Sequence, residues 1–106
     1  MILTTVRVER PEGTVVATHI AVQIENAAGF SAREAVEFDG ARPYDLYAIY
    51  TTQGVPLVPI QRRDVLFDEV NTDPETGALA KYRVSGLVET FATSHQEILA
   101  EKVVGA

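Results

Sequence analysis

Between positions 69 and 75 the chain reads EVNTDPE, so Glu69, Asn71, Asp73 and Glu75 place a side-chain oxygen at every second residue. That spacing invites comparison with a calcium loop, which gathers about six to eight oxygens from alternate positions of a tight turn. The EF-hand form of the loop needs Gly at its sixth position and a bidentate Glu at its twelfth. Counted from Glu69, those positions hold Pro74 and Ala80. Neither residue fits, and no metal is expected here. The same stretch suits a hairpin. Pro74 sets φ immediately after Asp73, and Gly77 can leave the chain in a left-handed conformation before the next strand. The acidic side chains then keep the tip solvated.

Other constellations are thinner. The two histidines, His19 and His95, fall on different expected strands, with His19 on the polar face of its own. A zinc site takes three or four ligands, and a chain without Cys would leave carboxylates to supply most of them. Ser85 and Ser94 lie near His95 in sequence, but no nucleophile-elbow sequence surrounds either. Glycine-rich phosphate loops are absent. No catalytic residue, metal or cofactor is therefore assigned, and the chain is not expected to be an enzyme.

The elements that would carry a site are mostly strands. In TVVATHIAVQIE (14–25), Val16, Ile20, Val22 and Ile24 fall on one face, and Ala17, His19, Ala21 and Gln23 on the other. Val6 and Val8 alternate with Arg7 and Glu9, and Pro11-Glu12-Gly13 supplies a turn between the two strands. Segments 45–52, 63–70, 80–89 and 95–104 have strand composition, with Tyr82, Val84 and Val88 on one side of the fifth. Segment 31–38 opens with Ser31 and Glu34 in capping-box spacing and is short, so it reads as one or two helical turns or a distorted strand. TQGVPLVPIQ (52–61) holds two prolines, which a central strand does not tolerate, among apolar residues. It is expected as a loop that either folds over the core or meets a partner.

Composition sets the frame. The chain has 106 residues, of which 46% are hydrophobic: enough for one domain, 1–106, with a packed core. The expected fold is all-β, a small antiparallel barrel or sandwich of roughly six strands with long loops and at most one short helix. A net charge of −6 argues against a grip on nucleic acid, which needs clustered cations to neutralise phosphates. Arg62-Arg63, followed at once by Asp64, reads as a solvated loop, with contact to a charged partner as the alternative. No apolar run approaches the ~20 residues of a membrane-spanning helix. The opening MILTTVRVER does not look like a secretory leader, which leaves the cytoplasm as the default.

Segment 62–104 carries a further texture. Asp64-Val65-Leu66 precedes a turn, and Tyr82-Arg83-Val84 follows on a strand. Gly86-Leu87-Val88-Glu89 comes next, and the last strand begins at His95-Gln96-Glu97. Together with VRVERP (6–11), this resembles the small head-tail connector proteins of tailed bacteriophages, more narrowly the head-closure or stopper group. The resemblance rests on Asp64, Leu66, Tyr82, Arg83, Val84, Gly86, Glu89, His95 and Glu97. It implies a small antiparallel β-barrel acting as a structural protein of the virion neck, made in the host cytoplasm. Copies would form a homo-oligomeric ring between the portal and adaptor on one side and tail terminator or tail proteins on the other. The ring would retain packaged double-stranded DNA without reading its sequence, and no membrane would be involved. A long loop from each copy would reach the channel. By position the candidates are Gln53, Gly54, Val55, Pro56, Leu57, Val58, Pro59 and Ile60, and, in a second loop over 25–43, Gly29, Phe30, Arg33, Asp39, Gly40 and Arg42. Acidic walls would let the genome slide past. The alternatives are a tail-terminator or tail-completion ring protein, and a generic small β-barrel that binds proteins through its loops.

Overall fold

In the computed structural model, residues 2–26, 46–52, 58–91 and 95–103 are described, with the backbone alone for 86–91 and 95. Six strands form: β1 (Ile2–Glu9), β2 (Val15–Asn26), β3 (Leu46–Thr51), β4 (Val65–Thr72), β5 (Leu79–Phe91) and β6 (His95–Val103). They close in the order β1-β2-β3-β6-β5-β4, every neighbouring pair antiparallel. The topology is two successive three-stranded meanders. Each is sealed to the other along two seams, β3 against β6 and β1 against β4. Closure leaves the small sheet no continuous free edge. The expected antiparallel barrel is the fold, and the described residues contain no helix.

The period-two pattern explains the core. Val6 and Val8 of β1, Val22 and Ile24 of β2, Leu66 of β4, Val84 of β5 and Ile98 of β6 are all at most 1% exposed. Each sits at an inward position of its strand. Tyr82 joins them and meets Tyr47 edge-on, with ring centroids 5.3 Å apart, the arrangement favoured by the ring quadrupoles.

Alternation is interrupted where the strand registers shift, twice along β1–β2 and again in β4–β5 and β5–β6. Along β1–β2 the partners run Val6↔Ile20 and then Val8↔Ala17, so β2 holds one extra residue. His19 lies in that bulge with φ +56 and resets the period. Val16 and Ala17 therefore both pack against the core, although strict alternation puts them on opposite faces. The β5–β6 shift, Val84↔Ala100 followed by Val88↔Ile98, straddles Gly86 on β5.

Two turns are clear in their bonding. Arg10 N donates to Thr14 O (2.8 Å) and Gly13 N to Arg10 O (2.9 Å) around Pro11-Glu12, and Gly13 has φ +100. At the acidic run, Asp73 N donates to Ala78 O (2.7 Å) and Gly77 N to Asp73 O (2.8 Å), with Gly77 at φ +73. Asp73 Oδ1 accepts from Glu75 N (2.9 Å). The run that opened the sequence analysis is thus a β4–β5 hairpin, and Asp73 is its buried hinge. β4 continues through Asn71 and Thr72 before turning, two residues beyond the expected end of the strand.

Following strand direction sorts the connections. Turn 10–14, the β3–β4 connection and the β5–β6 hairpin lie at one end of the barrel. The β2–β3 connection and the 73–78 hairpin lie at the other, beside the starts of β1 and β5.

Candidate functional site

The two segments proposed as working loops leave from opposite ends of the barrel. Their placement follows from Thr51 and Val65 at one end, and Asn26 and Leu46 at the other. They do not share a site on one copy. Segment 31–38 lies outside the described residues, as do Gly29, Phe30, Arg33, Asp39, Gly40 and Arg42. Gln53, Gly54, Val55, Pro56 and Leu57 lie outside them as well.

The rest of the Pro-containing loop is well placed. Thr52 N donates to Ala21 O (3.2 Å), which ties the start of the loop to β2. Val58 is 6% exposed and belongs to the core, Ile60 packs beside it, and Pro59 between them is exposed. Burying an apolar side chain such as Val58 contributes about 1.5 to 3 kcal/mol. A buried main chain must also find hydrogen bonds, and Gln96 supplies them. Its Oε1 accepts from Val58 N (3.0 Å), and its Nε2 donates to Val58 O (2.8 Å). Gln96 N donates to Thr51 Oγ1 (2.7 Å). One amide side chain therefore stands in for a missing strand partner. Both roots of 53–57 are fixed to the barrel, and the Val58–Ile60 part is folded over the core.

β4 and the residue just before it hold the least expected residues. Asp64, Leu66 and Asp68 are successive inward positions, and all three are fully buried. At the loop end, Asp64 Oδ2 accepts from Arg10 Nη1 and from Gln61 N (2.8 Å). Its main chain bonds Gln61 and Val84, while Arg63, at φ +77, donates to Val84 O (2.7 Å). Arg10 thus supplies the charge that a buried carboxylate requires. Asp64 Oδ1 has no hydrogen-bond partner among the described residues.

At the hairpin end, Asp68 Oδ1 accepts from Thr4 Oγ1 (2.7 Å), Val70 N (2.9 Å) and Asn71 N (2.9 Å). Oδ2 accepts from Asn71 Nδ2 (2.9 Å). Burial works to raise the Asp68 carboxyl. The bonds from the Asn71 main chain and side chain, from Val70 N and from Thr4 outweigh it and hold the group below its ordinary value. This nest has a structural consequence. β1 pairs with β4 only as far as Val6↔Asp68. Beyond that point the Val70 and Asn71 amides turn to the Asp68 carboxylate.

On the outer wall, Arg7 lies 4.5 Å from the centre of the Phe67 ring and bonds Glu9 (2.6 Å). Glu69 accepts from His19 N (3.0 Å) and pairs with His19 Nδ1 (3.3 Å). His19 is a surface residue, as the sequence implied, and its carboxylate partner helps hold the bulge. The Tyr50 phenol is raised by burial, by the charges of Glu97 and Glu25, and by its bond to Glu25. Burial, then the neighbouring Tyr47, Asp68 and Asp73, push Tyr82 up to about 12.

The residues that carried the family resemblance divide by face. Asp64, Leu66, Tyr82 and Val84 point inward, and Arg83 is exposed opposite Glu101 (3.4 Å). Glu97 is half-buried, and Gly86, Glu89 and His95 are strand positions whose backbone alone is described. Four of the nine residues therefore belong to the barrel interior. Arg62 and Arg63 are exposed, as expected of a solvated turn. Among the described residues, no three His, Asp or Glu side chains come together as a metal site. No family model, curated protein or solved structure matches the chain.

Sequence reasoning missed Asp68 and the role of Gln96. Asp at i and i+4 of a strand, with Leu between, is a signal that two carboxylates share the inner face. For Gln96 no such signal exists, because its partner Val58 is thirty-eight residues away.

Proposed function

We infer that this chain is a ring-forming head-closure (stopper) protein of a tailed-phage neck, a structural virion protein that keeps packaged DNA in place and offers the tail a docking surface. The observation that carries the reading is the texture of 62–104 set on a closed six-stranded barrel, the fold which that texture implies. Three features are consistent with it. The residues that flank 53–57, Thr52 and Val58, are both tied to the barrel. The long β2–β3 connection leaves from the opposite end, which gives one copy separate surfaces toward two neighbours. A net charge of −6 suits a channel wall that must not hold DNA.

The test is DNA retention. Packaged heads carrying portal and adaptor are incubated with this protein and then exposed to nuclease. Retained, nuclease-resistant DNA should rise with added protein, and a variant with 53–57 replaced by Gly and Ser should bind the heads yet retain less. The replacement must stop before Val58, because removing Val58 and Ile60 would open the core. Retention unchanged by the protein would overturn the reading.

A further inference from the structure

β3 and β6 are buried on both faces. Opposite residues of an antiparallel pair share a face. Tyr47↔Ala100 and Ile49↔Ile98 point into the barrel, so Leu46↔Glu101, Ala48↔Leu99 and Tyr50↔Glu97 point out. β2 agrees: Ile24, opposite Ile49, is in the core, and Glu25, opposite Ala48, faces outward. Three of these outward side chains are nevertheless withdrawn from solvent. Leu46 is 0% exposed, Ala48 2% and Leu99 3%. They stand apart from the cluster that fills the barrel, which takes Ile49, Ile98 and Ala100 from the same two strands.

The outer face of an antiparallel wall meets solvent unless further chain lies on it. The outward neighbours within the sheet are Glu25, Tyr50, Glu97 and Glu101, all only half-buried. They frame the strip without roofing it. The shielded area extends toward β5. Ser85, which follows inward Val84 and lies beside Leu99 in the β5–β6 register, is 8% exposed, and its Oγ has no hydrogen-bond partner among the described residues.

We propose that residues 27–45 pack on this strip, so that the β3–β6 wall carries a second apolar layer outside the barrel. Position selects this segment. Leu46 is joined directly to residue 45, and Asn26, at the other root, pairs with Tyr47. Both ends of the segment therefore emerge beside the strip, whereas 53–57 and the β5–β6 hairpin belong to the opposite end of the barrel. Length suffices: the segment has nineteen residues, and at about 3.3 Å each even half of them outreach the strip. Its composition also suits an apolar surface. Phe30, Val36, Phe38 and Tyr44 offer bulk, and five alanines permit close approach. A segment laid along this wall is not the one that reaches a channel, which leaves 53–57 for that role. The proposal rests on the barrel alone, so it and the neck reading can fail separately.

Nuclear magnetic resonance of the isotope-labelled wild type tests it. Nuclear Overhauser contacts from the Leu46 and Leu99 methyl groups should reach protons of residues 27–45. Contacts that run instead only to 53–57, 86–94 or 104–106, or that stay within the sheet, overturn the proposal. A second readout uses the absence of Cys from the chain. Ala48→Cys places a single thiol on the strip. It should react with a thiol reagent at least about tenfold faster once 28–44 is replaced by Gly and Ser, with amide protection of β1 and β4 retained. Equal labelling rates in the two chains overturn the proposal as well.

Discussion

Asp68→Asn isolates the carboxylate that ends the β1–β4 seam. The change keeps size and one carbonyl oxygen, so Thr4 Oγ1, Val70 N and Asn71 N can still be accepted. It removes the charge from those bonds and turns the other oxygen into an NH2 group facing Asn71 Nδ2. A hydrogen bond to a charged group contributes about 1.5 to 3 kcal/mol, against roughly 1 for a neutral one. The Val70 and Asn71 amides belong to exposed residues and can recover part of the loss from water. The expected cost is therefore about 2 to 3 kcal/mol at pH 7, short of the sum over all four donors. The pH dependence is a second, independent signature. The folded Asp68 carboxyl lies below its ordinary value of 3.8, so the stability it contributes is complete above that value and is lost as pH falls through the folded value. Urea unfolding followed by far-UV circular dichroism between about pH 7 and pH 3 should show the wild type losing more stability on acidification than Asp68→Asn. The gap between the two proteins should narrow as pH drops. Equal midpoints at pH 7, or parallel pH curves, would refute the account of Asp68.

Three further expectations follow from named contacts. Gln96→Leu should remove both side-chain bonds to Val58; Val58 O keeps the bond from Ile60 N (2.7 Å) and Val58 N loses its acceptor, so the expected cost is about 1 to 3 kcal/mol. Faster exchange at the Val58 amide and quicker proteolysis near 52–60 would show it, whereas unchanged exchange would contradict the role given to Gln96. Tyr82 should be the late-titrating phenol. Because its folded value is raised to about 12, its contribution is intact below about pH 10 and lost as pH rises through the folded value. Tyrosinate absorbance of Tyr82→Phe should lack the last phase seen in the wild type. Gly77→Ala should lower stability by about 1 kcal/mol from backbone strain alone, since φ is +73 and an added Cβ meets nothing within 4 Å. A neutral result in thermal unfolding would mean that the hairpin relaxes away from this turn.

How far the sequence carried can be judged from particular residues. Val22, Ile24 and Val84 were readable because a half-buried strand repeats every two residues. Asp73-Pro74 and Gly77 were readable because turn chemistry is local. Ala17 was misassigned by alternation, since a bulge at His19 shifts the period, while Val16 packs against the core as alternation implied. The β1–β4 and β3–β6 seams join strands far apart in sequence, so neither the closure nor its end at Asp68 has a local signal. The loop candidates were only half-resolved by composition. An apolar stretch with prolines reads the same whether it is buried or presented, and it took Gln96 to show that Val58 is held inside. Asp64 and Asp68 would be sorted to the surface by their charge, and only their partners Arg10, Thr4 and Asn71 explain their burial.

The neck role is tested most directly by electron microscopy of this protein mixed with portal–adaptor complexes from candidate tailed phages. The account predicts a ring of this chain capping the adaptor, coaxial with the channel, with density from 53–57 toward the lumen and a wider opening when that segment is replaced. Particles whose adaptor face stays bare at saturating protein would contradict it and leave the barrel a binding module of another kind.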